Sequence, residues 1–129
     1  MATILIAEDE PHIIRVMSLW LSRNGHRVVE SRDGVEALAA FDASKPDLVI
    51  SDMNMPRMTG LELIRTLREE RRTTVPILMF SSRTDQGNLG QQAAAFNVVL
   101  YPKPFTPSRL TGEIERMLTA AAAGASQAG

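Results

Sequence analysis

Cysteine is absent from this 129-residue chain, which excludes disulfides, zinc–thiolate centres and thiol catalysis. Long apolar runs are absent as well. None approaches the roughly 20 residues needed to cross a bilayer, and the opening MATILIAEDE has neither a basic n-region nor a cleavage site. A cytoplasmic protein with no membrane partner is the expectation. Nor does either charge dominate: 14 Lys+Arg against 15 Asp+Glu leave a net charge of -1. No broad field favours nucleic acid, so no direct nucleic-acid contact is expected. What remains is 44% hydrophobic and 22% charged, an ordinary globular composition at a length that suits one domain and would cramp two.

Apolar periodicity switches along the chain between two kinds of segment. Thr3–Ala7, Arg27–Glu30, Leu48–Ser51, Ile77–Ser81 and Val98–Tyr101 read as strands. Most are nearly continuous apolar runs, as strands covered on both faces should be. Helices fill the gaps. From Pro11 to Arg23, the residues Ile13, Met17, Trp20 and Leu21 make one stripe, with proline in the first turn and Gly25 just past the end. Asp33 with Glu36 and Thr59 with Glu62 have the spacing of capping boxes. The arginines of the third helix read as a solvated outer face. A fourth helix, about Asp85 to Phe96, contains Gly87 and Gly90 and is expected to be shorter and looser than the rest. The last begins at Thr106–Pro107, and residues 121–129 read as a flexible Ala/Gly-rich tail behind a domain of residues 1–120.

Five strands alternating with five helices predict an α/β fold, a doubly wound parallel sheet with helices on both faces. Ligands then gather outside the carboxyl ends of the strands. Glu8 and Asp9 end the first strand, Asp52 the third and Ser81 the fourth, while the fifth leads into Lys103. If the first and third strands are neighbours, three carboxylates share one cleft, and a hard divalent cation relieves their repulsion. Mg²⁺ fits best, being an oxygen-liganded ion that is often shared with a phosphate.

The segments ILIAEDEP, DLVISDMNMPRMTG, PILMFSS and YPKPF, in this order and each at a strand end, resemble the receiver domain of two-component response regulators. The resemblance covers the chain to about residue 120. It implies a flavodoxin-like sheet of order 2-1-3-4-5 with five helices. It also implies that Asp52 accepts a phosphoryl group from a sensor histidine kinase or a histidine phosphotransfer protein. Glu8, Asp9, Asp52 and the Asn54 backbone carbonyl would hold Mg²⁺; Ser81 would be the switch hydroxyl, and Lys103 would pair with the phosphoryl group. The chain would catalyse only its own phosphorylation and slow dephosphorylation, and would present a switched surface to a downstream protein. With nothing after the tail, a stand-alone receiver, monomeric or weakly dimeric, is expected. One departure stands out: Leu100 occupies the place where the family usually has an aromatic ring three residues before the lysine.

Blander readings compete with each of these. An aspartate at a strand end is commonly a loop residue or a cap, and Glu8-Asp9-Glu10 could simply favour the positive end of the first helix. Lys103 is one of only two lysines among 14 cationic residues, which favours a chosen point charge over a chance surface lysine. Met53, Met55 and Met58 read as packing residues. His12 and His26 read as lying away from the carboxylates. Two rival functions share the fold: an unphosphorylated receiver-like adaptor, and a small phosphatase or phosphotransferase working through an aspartyl phosphate.

Overall fold

The computed structural model describes residues 2–81, 89–102 and 105–128. Five strands, β1 (Thr3–Ala7), β2 (Arg27–Ser31), β3 (Leu48–Asp52), β4 (Ile77–Ser81) and β5 (Val98–Pro102), pair in parallel in the order β2-β1-β3-β4-β5. This is the flavodoxin-like order. The helices are α1 (Pro11–Arg23), α2 (Gly34–Ser44), α3 (Gly60–Arg65), α4 (Leu89–Ala95) and α5 (Pro107–Ala128).

Strand alternation divides the core in two. Ile4, Ile6, Leu48, Ile50, Leu78 and Phe80 point to the side where Met17 and Leu21 of α1 and Leu110, Ile114 and Met117 of α5 pack. Leu5, Ala7, Val49, Ile77 and Met79 point to the other, against Ala37 of α2 and Leu63 and Ile64 of α3. Both faces of the sheet are therefore apolar, which is why the strands lack the alternation of a half-exposed sheet. Met55 is buried in the second cluster, with Met53 and Met58 packed at its edge, so these methionines serve packing. Tyr101 and Leu100 fall on opposite faces of β5. Tyr101 meets Phe80 edge to face at 6.1 Å, and Phe105 stacks on Phe80 at 4.9 Å.

Helix ends follow local chemistry. Thr59 and Glu62 form the complete reciprocal capping box of α3. At α2 only half of that arrangement forms. Asp33 accepts the Glu36 N–H, whereas the Glu36 carboxylate takes the Arg32 N–H, one residue further back. α5 runs to Ala128 through the Ala/Gly-rich stretch; its four successive alanines, Ala120 to Ala123, have the highest helix propensity available. Of the expected fourth helix only Leu89–Ala95 can be compared, since residues 85–88 lie outside the described residues.

Arg68 corrects the reading of the third helix's arginines as a solvated face. After Arg65 the helix widens into a π-helical turn, Thr66–Glu70, closed by the Arg71 N–H on the Thr66 carbonyl. The half-buried Arg68 guanidinium then donates to four carbonyls: Phe96, Thr73, Val75 and Asn97, at 2.8 to 3.2 Å. Burial lowers its pKa, yet a guanidinium remains charged in a protein. It joins the end of α3 to the segments leading into β4 and β5. Arg68→Ala strands these acceptors and is expected to destabilise the fold by about 3 kcal/mol in urea unfolding. Arg68→Lys should recover little, because an ammonium cannot reproduce the planar fork. Arg71, in contrast, pairs at the surface with Asp42.

Candidate functional site

The register of the sheet assembles the site. Ala7 of β1 lies opposite Ser51 of β3, so the next residues, Glu8 and Asp52, emerge at the same level from neighbouring strands. They also share a parity, Glu8 following Ile4 and Ile6, and Asp52 following Leu48 and Ile50. Both are buried, at 0% and 5% exposure, whereas Asp9 is exposed. The Glu8 N–H extends the β1–β2 ladder by donating to the Ser31 carbonyl at 3.0 Å. The Glu8 carboxylate accepts the Glu10 N–H at 3.4 Å, and Asp52 Oδ1 accepts the Met53 N–H at 2.9 Å.

One carboxylate oxygen each from Glu8, Asp9 and Asp52 lie within 4.8 Å of one another. Two full negative charges at that spacing repel by roughly 3 kcal/mol at an effective dielectric of about 20. The donor set is made only of hard oxygens, with no imidazole or thiolate in it. That chemistry fits Mg²⁺ and disfavours the softer transition metals.

The remaining sequence-predicted residues distribute unevenly. Asn54 is exposed on the loop two residues beyond Asp52. Ser81 ends β4, one position past Phe80, which pairs with Asp52. It lies opposite Pro102, the last residue of β5. Lys103 lies outside the described residues. His12 is exposed in the first turn of α1, and His26 is buried in the α1–β2 connection, accepting the Ala2 N–H and bonded to Glu115 of α5. Neither joins the carboxylates.

The chain matches the response regulator receiver domain family over residues 4–115. It belongs to that family. Among its receiver-containing relatives, the alkaline phosphatase synthesis transcriptional regulatory protein PhoP of Bacillus subtilis is 31% identical over 117 residues, covering 89% of this chain and 48% of PhoP. The response regulator GtcR of Aneurinibacillus migulanus is 36% identical over 116 residues, covering 90% of this chain and 47% of GtcR. The receiver thus spans about half the length of these curated relatives. Chemotaxis protein CheY4 of Vibrio cholerae superposes with a TM-score of 0.82 at 33% identity, over 91% of this chain and 98% of CheY4. Receiver domains bind Mg²⁺ through an acidic pocket, and Glu8, Asp9 and Asp52 form the acidic group of this one.

Two features near the receiver's site escaped the sequence reading. Asp33, read there only as a cap, also receives Arg57 from the β3–α3 loop. Nothing in the spacing of residues 33 and 57 marks them as partners. Arg57 moreover has φ +67°, a conformation that arginine does not advertise.

Proposed function

We propose that this receiver is a phosphoryl-accepting switch in which Asp52 is the acceptor and Glu8, Asp9, Asp52 and the Asn54 carbonyl hold Mg²⁺. The observation that supports it is the convergence of three carboxylates from two adjacent strand ends. The donor is a phosphohistidine on a sensor histidine kinase or histidine phosphotransfer protein. An Asp52 carboxylate oxygen bonds to phosphorus as the P–N bond breaks, and the departing imidazole nitrogen keeps the electron pair and takes up a proton. Mg²⁺, when bound, neutralises the phosphoryl oxygens. β3 fixes the attacking oxygen in place, Lys103 pairs with the transferred group, and the Ser81 hydroxyl follows it. Phosphorylation then biases a protein-binding surface near α4 and β5.

The test is treatment with acetyl phosphate, with and without Mg²⁺, followed by intact mass analysis. One hydroxylamine-labile phosphoryl group that requires Mg²⁺ is expected. Labelling that ignores chelation of the cation would count against the reading, and steady release of inorganic phosphate from many phosphoesters would favour a phosphatase.

A further inference from the structure

We propose that Asp33 and Arg57 act as a clamp, two positioning residues that fix the loop after Asp52 and thereby set how tightly the acidic site holds its divalent cation. The inference rests on reading that site as a Mg²⁺ site.

The loop is secured at its base by two backbone N–H donors, one to a carbonyl and one to the Asp52 carboxylate. The Gly60 N–H donates to the Met53 carbonyl at 2.9 Å, and the Met53 N–H to Asp52 Oδ1. Its tip needs something else. The Met58 N–H closes on the Pro56 carbonyl at 2.7 Å around Arg57, whose φ of +67° makes this the strained form of the three-residue turn. Outside glycine such a conformation is unfavourable and persists when surrounding contacts hold it.

Those contacts come from α2. Arg57 donates through Nε at 3.1 Å and Nη2 at 2.6 Å to Asp33 Oδ2, while Asp33 Oδ1 caps α2 by accepting the Glu36 N–H at 2.9 Å. Asp33 is buried, and its carboxyl is held below the usual carboxylate range by the Glu36 N–H first and by Arg57 as well, against the opposing effect of burial. Beside the pair, Gly34 packs on Met58 so closely that a Cβ there would lie 2.6 Å from the Met58 Cβ. A salt bridge at the open surface contributes little. This one has one partner buried and capped, and it spans 24 residues of sequence.

Sheet order gives the clamp its reach. α2 follows β2, the loop follows β3, and these strands flank β1. The Asp33–Arg57 pair therefore joins the two segments on either side of Glu8 and Asp9, and it restrains the loop from which Asn54 offers its carbonyl. Groups that orient metal ligands without touching the metal typically affect affinity by about 10–100-fold.

Two variants open the clamp by separate routes. Asp33→Asn keeps an oxygen to cap α2 but loses the charge; Arg57→Gly removes the guanidinium while suiting the positive φ. Mg²⁺ titrations followed by the amide NMR shifts of Met53 and Asn54 should show each variant with a Kd raised by about tenfold. Arg57→Lys should recover part of that loss, and the urea midpoint of Arg57→Gly should stay near wild type. Wild-type Mg²⁺ affinity in both Asp33→Asn and Arg57→Gly would overturn the clamp while leaving the Mg²⁺ site standing. Absence of any Mg²⁺-dependent shift in the wild-type protein would instead overturn the site, and the clamp with it.

Discussion

Asp52→Asn is expected to leave a folded protein that accepts no phosphoryl group from acetyl phosphate. Asparagine matches aspartate in shape, so a side chain at 5% exposure is replaced without a cavity. Its amide oxygen can still accept the Met53 N–H that Oδ1 accepts now. What disappears is the proposed nucleophile, because a neutral amide oxygen does not attack phosphorus as a carboxylate does. Labelling measured by intact mass should fall by roughly a thousandfold or more, the scale on which loss of a nucleophile is felt. Far-UV circular dichroism should remain that of the wild type. A variant that still gained one hydroxylamine-labile group at the wild-type rate would move the acceptor to another carboxylate.

Gly60→Ala should damage both stability and labelling. A Cβ at residue 60 would lie 2.1 Å from the Asp52 carbonyl oxygen and 3.0 Å from both the Asp52 carbonyl carbon and the Met53 Cα. All three are backbone atoms at the end of a buried strand, so no side chain can swing aside. Overpacking of this kind costs about 3 kcal/mol, readable as a lowered urea midpoint. The strand end that must move carries Asp52, and a displacement near 1 Å at a reacting group can lower its rate about a hundredfold. The folded fraction should therefore label slowly as well. Gly112→Ala is the internal control: nothing lies within 4 Å of its Cβ position in α5, and the better helix former should raise stability by about 0.5–1 kcal/mol. Equal behaviour of the two variants would refute the close approach at Gly60.

The parts of this receiver that could be read from sequence are those in which side-chain pattern and local geometry agree. Apolar runs marked all five strands because both faces of the sheet are covered. Parallel strands that all end at one edge brought Glu8, Asp9 and Asp52 to it once β1 and β3 proved to be neighbours. Strand ends were read one residue short at β2, β3 and β5, with the consequence that Asp52 is the last residue of its strand and inherits the strand's rigidity.

What stayed illegible depends on contacts distant in sequence. Arg68 looks no different from Arg65, Arg71 or Arg72 in composition. Only the arrival of Phe96 and Asn97, 28 and 29 residues later, turns it into a half-buried strut. Arg57 sits at a left-handed position that propensity would assign to glycine, and its partner Asp33 already had a sufficient local explanation as a helix cap. Residues satisfied locally hid their second roles.

On the proposed reading, Glu8, Asp9 and Asp52 share one divalent cation. Calorimetric titration of Mg²⁺ into chelator-treated wild type and Asp9→Asn, side by side, reads that sharing out. Asp9 is the exposed member of the cluster, so its replacement should leave the core intact. A single site in the wild type, weakened at least about tenfold in Asp9→Asn, is predicted; an unchanged affinity in Asp9→Asn would contradict the shared site.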